Sequence, residues 1–223
     1  MSQRFNTKNK IDISNFKKSS RIGHGMYGSV FKVTSQNGDI YAAKIISKID
    51  DDNDYNEVIE REIDILSWAN HPTIIKFLGY SNVDFNNENN ITIFMEYAEM
   101  KSVENILQII KKNKGPENYN NTKRQIILVG VARGMKYLHE HDIIHRDLKP
   151  GNILLDANFH PRISDFGMSK ILELNIFNQS KFGGTPPYMA PEIINGQLYD
   201  FKVDVYAFGI TMFEIITNAF PYP

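Results

Sequence analysis

The pattern of apolar and polar positions changes character near residue 98. From Phe16 to Ile46, apolar and polar residues alternate in three short, strand-like runs broken at Gly23-His24-Gly25 and Asn37-Gly38-Asp39. The second break carries hairpin chemistry, because Asn and Gly tolerate the positive φ of a tight turn. Residues 54–70 read as a helix, with Asp54 as cap, Glu57 three positions on, and Val58, Ile65, Leu66 and Ala69 recurring at helical spacing. Strands at 74–80 and 91–97 flank a polar loop, Asp84 to Asn90. Beyond Ala98 the periodicity turns helical. A helix at 103–112 and a loop from Gly115 to Asn121 lead into a longer helix from Thr122 to His141. That helix shows a Thr122/Gln125 capping-box pattern and an Ile127, Val131, Met135, Leu138 stripe. A last helix is expected at 201–217. Residues 1–15 are polar and read as a loose lead-in. The expectation is an α+β chain of two unlike lobes, 16–97 and 98–223, joined near Tyr97–Met100.

Composition narrows the possible functions. With 223 residues, 42% of them hydrophobic, the chain can bury a sizeable core. A net charge of −1 and the lack of a Lys/Arg cluster argue against a nucleic-acid partner. The chain has no cysteine, which excludes disulfides, thiolate catalysis and zinc ribbons. The opening MSQRFNTKNKID has no apolar signal core, and the stretch around Tyr206–Ile216 is too short to span a bilayer. No membrane partner and a cytoplasmic location are therefore expected. His139 and His141 lie two apart without an H-E-x-x-H pattern, so both read as solvated rather than as metal ligands.

Four motifs carry candidate chemistry. GHGMYGSV (23–30) is a G-x-G-x-x-G run followed by strand-like alternation. This is neither the helix a dinucleotide fingerprint needs nor the Gly-Lys-Ser/Thr ending of a Walker loop. What remains is a glycine turn between antiparallel strands, whose backbone N–H groups can approach phosphates. YAAK (41–44) ends a strand with Lys44 on the face of Ala42 and Ile46. Glu62 sits on the apolar stripe of the 54–70 helix, where a stranded charge costs roughly 3–5 kcal/mol; Lys44 is its natural partner. In IIHRDLKPGNILLD (143–156), Asp147, Lys149 and Asn152 lie on a loop anchored by apolar runs at both ends. Asp147 can accept a hydroxyl proton, Lys149 can neutralise developing charge, and Asn152 can hold a divalent cation. Thirteen residues after Asn152, Asp165 of ISDFG offers a second hard oxygen; two oxygen ligands without His or Cys suit Mg2+.

In this order the set resembles the eukaryotic protein kinase family, from about Phe16 to Pro223, with APE at 190–192 completing it. The resemblance implies a two-lobed fold: a small antiparallel sheet plus one helix, then a mostly helical lobe. It implies ATP and Mg2+ as cofactors and a protein substrate with Ser/Thr acceptors. ATP would lie between the lobes under the loop of Ile22, Gly23, Gly25 and Gly28. Its adenine would contact the backbone of Glu96 and Ala98, between Val30, Ala42 and Leu154 and in front of Met95. Lys44, paired to Glu62, would hold phosphates; Asn152 and Asp165 would bind Mg2+; Asp147 would orient and deprotonate the acceptor. Leu66, Phe77, His145 and Phe166 match the family's stacked apolar column, and Asp204 matches the acid that anchors the catalytic loop.

Lys149 in DLKP and Thr185 in GTPPYMAPE resemble Ser/Thr-directed kinases, and YMAPE with DVYAFGI resembles the tyrosine-kinase-like group. Arg146 beside Asp147 resembles kinases switched by an upstream activating kinase, with Ser180 and then Ser169 as candidate acceptors. Thr185 is expected to be a structural contact to Lys149 and Asp147. The family's domain normally continues for several helices past 201–217, and one usually supplies an arginine to Glu192. Phe208, Met212, Phe213 and Ile216 are accordingly expected to be partly uncovered. The alternative is a kinase-like module that binds nucleotide or a partner with little phosphotransfer.

Overall fold

A computed structural model describes residues 9–25, 28–47, 53–171 and 184–222. The chain forms two compact units: residues up to Asn70 with Ile75–Tyr97, and His71–Ile74 with the chain from Ala98 onward.

The first unit is a five-stranded antiparallel sheet, order β1-β2-β3-β5-β4, with one helix. The strands are β1 (Phe16–Gly25), β2 (Gly28–Ser35), β3 (Ile40–Ile46), β4 (Phe77–Ser81) and β5 (Ile91–Glu96); the helix is α1 (Asn53–Trp68). Register divides the sheet cleanly into two faces. Phe31, Ala43 and Phe94 stand opposite one another on one face, where Val33, Ala43 and Phe94 form a buried cluster ringed by Ile11, Phe16, Tyr41, Leu78 and Phe85. Val30, Lys44 and Ile93 pair across the other face, as do Lys32, Ala42 and Met95. The turn at Asn37–Asp39 closes as expected: Gly38 takes φ 87° and the Ser35 N–H donates to Asp39 O at 2.8 Å.

Three expectations for this unit need correction. The helix includes Asp54 rather than beginning after it, and it ends at Trp68. The fourth strand starts at Phe77, because Thr73 and Ile74 instead join the second unit: Thr73 O accepts from Ile163 N at 2.8 Å, and Ile74 bridges Ile163. Residues 9–15 are not a loose lead-in, since Ile11 and Ile13 pack on the sheet cluster.

The second unit contains α2 (Val103–Lys111), α3 (Asn121–His139), α4 (Pro191–Ile194) and α5 (Lys202–Thr217). It also holds two short antiparallel pairs, β6 (Ile143–Ile144) with β9 (Lys170–Ile171), and β7 (Ile153–Leu155) with β8 (Pro161–Ile163). The α3 stripe of Ile127, Val131, Met135 and Leu138 is buried as expected. Its cap, however, is Asn120, whose side chain accepts from Lys123 N at 3.1 Å, and not Thr122. Ser102 caps α2 through a reciprocal pair with Asn105. Helix α5 is apolar on both sides: Val203, Ala207 and Ile215 are buried, Phe208 is half-buried, and Val205, Met212, Phe213 and Ile216 are exposed. No helix among the described residues is long and apolar enough to cross a membrane.

Gly28 shows how tightly the first unit is built around the glycine turn. Its φ is 145°, and a Cβ there would lie 2.0 Å from the carbonyl oxygen of Ile45 on β3. A Gly28→Ala chain is therefore expected to lose about 2–4 kcal/mol of stability through backbone strain and overpacking. Denaturant unfolding of the two chains measures this; equal midpoints would contradict the contact.

Candidate active site

The candidate residues of the first unit gather on one sheet face. β3 carries Ala42 and Lys44, with Val30 opposite Lys44 on β2 and Met95 opposite Ala42 on β5. Ala42 and Met95 are buried, and Val30 is half-buried, giving a small apolar floor beside the ammonium. Lys44 Nζ donates to both carboxylate oxygens of Glu62, at 2.7 and 2.8 Å. Glu62 is 2% exposed and flanked by buried Ile59, Ile63, Ile65 and Leu66. The helix tolerates an acid on its buried stripe because the bidentate partner compensates its desolvation. Ile22 and Gly23 lie near the end of β1, and its last residue, Gly25, pairs with Gly28 across the turn. Met26 and Tyr27 lie outside the described residues. The N–H of Glu96 donates to Lys76 O at 2.9 Å, and its side chain accepts from Lys76 N at 2.7 Å. Any backbone contact Glu96 offers a ligand therefore falls to its carbonyl.

In the second unit, Asp147 is the centre of a hydrogen-bond knot. Its Oδ1 accepts from the N–H and hydroxyl of Thr185 at 2.9 and 2.7 Å. Its Oδ2 accepts from Lys149 Nζ at 2.8 Å and Asn152 Nδ2 at 2.9 Å. Lys149 also donates to the Thr185 hydroxyl at 2.5 Å. Thr185 is thus the structural contact expected of it. Asn152 Nδ2 further donates to Asp147 O at 2.7 Å, which turns the amide oxygen the other way. Asn152 immediately precedes β7 and Ser164-Asp165 immediately follows β8, so the β7–β8 hairpin brings the two positions side by side. Asn152 O receives both Ser164 N (2.9 Å) and Ser164 Oγ (3.1 Å), fixing that join. Asp165 adopts φ 66°, a left-handed conformation that re-aims the chain after β8. Leu154 is half-buried on β7 and Ala98 half-buried at the start of the unit. An amide oxygen beside a carboxylate, with no His or Cys, is a donor set that fits Mg2+.

Beneath this loop lies Asp204, 1% exposed in the first turn of α5. Its carboxylate accepts from the backbone N–H groups of His145 (2.9 Å) and Arg146 (2.8 Å), and from His139 Nε2 at 2.8 Å. His139 is therefore not a solvated histidine. His141 is exposed and bonds the carbonyl of Tyr137. His145 is fully buried and meets Phe166 with ring centroids 5.3 Å apart. Its Nδ1 faces the Asp147 N–H, so the other nitrogen carries the proton and donates to Ser164 O at 3.2 Å. Arg146 holds φ 65° and donates to Met168 O and, at 3.0 Å, to Tyr199 Oη. Ser169 is fully buried and bonds His145 O at 3.4 Å, so it is not presented for modification. Ser180 lies outside the described residues. Glu192 forms no ion pair among the described residues.

A further pair near the knot carries no signal in the apolar pattern. Tyr188 Oη donates to Glu214 Oε1 at 2.6 Å. Burial pushes Glu214 above its ordinary value of 4.5, and Glu104 adds to the push; the Tyr188 hydroxyl and Lys111 oppose it. Burial, followed by the Glu214 hydrogen bond, raises Tyr188.

Two predictions follow from these contacts. Asp204→Ala orphans two buried N–H donors and is expected to cost roughly 2–5 kcal/mol, read by denaturant unfolding. Folded Glu214 binds its proton more tightly than the unfolded chain does. Its contribution to stability is therefore complete below 4.5 and is lost as pH rises through the elevated folded value. Glu214→Gln still accepts from Tyr188 but cannot ionise. Its melting temperature should gain on the parent's as pH rises above 4.5, and parallel pH profiles would refute the assignment.

The profile of the protein kinase domain matches residues 16–223. Cysteine-rich receptor-like protein kinase 7 of Arabidopsis thaliana is 38% identical over 210 residues, covering 92% of this chain and 30% of the relative. Serine/threonine-protein kinase dst1 of Dictyostelium discoideum is 37% identical over 196 residues, or 87% of this chain and 25% of the relative. Putative serine/threonine-protein kinase/receptor R826 of Acanthamoeba polyphaga mimivirus is 37% identical over 214 residues, 95% and 12% respectively. The chain spans less than a third of the length of each of these three relatives. With the profile covering the sequence from β1 onward, and with Lys44–Glu62 and the Asp147 knot formed as those motifs require, the chain belongs to the protein kinase domain family.

Proposed function

We propose that the chain transfers the γ-phosphate of Mg-ATP to serine or threonine hydroxyls of protein substrates. The observation that carries this reading is the Asp147 knot, in which a carboxylate, an ammonium and a threonine hydroxyl are locked within hydrogen-bond distance. In the transfer, the acceptor oxygen bonds to phosphorus as the bond to the departing diphosphate's oxygen breaks. The acceptor's proton passes to Asp147. The carboxylate oxygens already receive four donors, so an incoming hydroxyl shares Oδ1 or Oδ2 with one of them. The Thr185 hydroxyl is the one most easily displaced, since its backbone N–H keeps the segment attached. Lys149, bonded to the same carboxylate, sits where it can offset charge gathering on the moving phosphoryl group. Lys44, held straight by Glu62, supplies the cation for the remaining phosphates, and the apolar floor of Val30, Ala42 and Met95 suits an adenine ring. Asn152 and Asp165 would hold the magnesium, which neutralises phosphate charge when bound.

Ser/Thr preference is supported by Lys149 and Thr185 and by the serine/threonine-protein kinases among the relatives. We also propose activation by an upstream kinase acting within 165–192, supported by Arg146, whose guanidinium reaches that segment at Met168 O. A cytoplasmic location of this domain is proposed on its cysteine-free composition.

The test is phosphate transfer from ATP to a generic basic protein substrate. Asp147→Asn should abolish transfer to background while nucleotide still raises the melting temperature. Thr185→Val should lower kcat about tenfold or more with little change in KM for ATP, and Thr185→Ser should restore it. Nucleotide-dependent stabilisation of the parent chain without transfer would replace this reading by a binding module.

A further inference from the structure

The family match begins at residue 16, yet the seven residues before it, 9–15, are built into the first unit. The Ile11 N–H donates to the Tyr80 carbonyl at 2.7 Å, and Lys10 forms a parallel bridge with Tyr80. Tyr80 lies on β4, the edge strand of the sheet, whose pairing with β5 is interrupted by a register shift between Phe77 and Gly79. Residues 9–11 therefore occupy the open side of an edge strand whose one pairing is itself interrupted. Gly79 marks the closest approach. Its φ is 154°, and a Cβ there would lie 2.3 Å from Asn9 O and 2.7 Å from the side chain of Ile11. Ile11 and Ile13 add their side chains to the cluster of Val33, Ala43 and Phe94. A second anchor holds the other end: Gln36 donates from its backbone to Asn15 O and from its amide to Asn15 Oδ1, both at 3.1 Å. Asp12 stabilises the turn between the two anchors by accepting from Ser14 N at 2.9 Å.

The strand so held is also the one on which α1 packs. Helix α1 carries Glu62, and the bidentate pair with Lys44 depends on the helix standing within a few tenths of an ångström of its place. We propose that residues 9–15 are a strap that fixes β4 and, through β4, holds α1 where Glu62 meets Lys44. They act as a positioning element of the phosphate-binding lysine, contributed by chain that precedes the matched domain. The contacts that join the strap to the sheet include the Ile11–Tyr80 edge hydrogen bond, the Ile11 and Ile13 side chains and the Asn15–Gln36 pair. Anything that competes for Ile11 or Asn15 would lower nucleotide engagement without touching a catalytic group. The effect on catalysis rests on the function proposed above; the coupling from strap to helix does not.

The experiment compares Ile11→Asp and Ile11→Val with the parent in the full chain, by amide hydrogen exchange and by steady-state phosphate transfer. Ile11→Asp should speed exchange about tenfold or more at Tyr80–Ser81 and across Ile59–Leu66, leaving α3 and α5 unchanged. KM for ATP should rise severalfold, and Ile11→Val should match the parent in every readout. Gly79→Ala should produce the same pattern, and should add little when combined with Ile11→Asp, because both release one contact. Should Ile11→Asp fail to fold, Asn15→Ala removes the side-chain half of the second anchor and is read the same way. Faster exchange confined to 9–15 and β4, with α1 unchanged, overturns the proposal. A parent chain that transfers no phosphate would overturn the kinase reading alone, since the exchange measurement still decides the strap.

Discussion

A single buried carboxylate organises the catalytic loop. Asp204 takes two consecutive backbone N–H groups, those of His145 and Arg146, and a ring nitrogen of His139. Consecutive amides can point at one acceptor only if the chain bends sharply, and the bend appears as the left-handed φ of 65° at Arg146. Strain of that kind costs on the order of 1–3 kcal/mol and persists only where surrounding bonds over-determine it. The same bend turns His145 inward under Phe166 and presents Asp147, the next residue, outward to Lys149, Asn152 and Thr185. The chemistry proposed for Asp147 thus depends on a residue 57 positions later that need touch no substrate.

The first unit solves a different problem with the same economy. A lysine on a sheet face lined by Val30, Ala42 and Met95 would lose much of its hydration. Glu62 restores a counter-charge through two hydrogen bonds, at the cost of placing an acid on a buried helical stripe. Each charge is affordable only because the other is present, so the position of α1 and the reach of Lys44 are one variable rather than two.

How much of this was legible beforehand follows from the range of each interaction. Period-two and helical patterns located five strands and four of the helices, because those patterns are set by burial of one face. The anomaly of Glu62 on an apolar stripe was enough to name Lys44. The proximity of Asn152 and Asp165 was legible only as spacing; the β7–β8 hairpin that explains it has three-residue strands, too short for a periodic signal. Caps were misread at Asp54 and Thr122. Several neighbouring residues could serve, and the choice of Asn120 is made by where the loop ends. The role of His139 was invisible, since nothing local distinguishes a histidine that meets an acid 65 residues away from one in solvent. Ser169, a candidate acceptor by sequence, is fully buried, and β9 pairs with β6 just beyond it.

The misreading of residues 9–15 is the most instructive. Their composition is polar enough to suggest an unattached leader, and only Ile11 and Ile13 are apolar. Two residues cannot define a period, yet two suffice when a cluster already exists to receive them. Phe16, Leu78 and Phe85 surround Val33 and Phe94 whatever precedes β1, and the edge of β4 leaves a carbonyl at Tyr80 for a passing N–H. Gly79 then admits the chain at a distance no side chain would allow. The information that seats this segment is therefore written in the sheet and not in the segment itself. A short polar leader can for that reason bear on the charge pair at Lys44 while carrying no motif of its own.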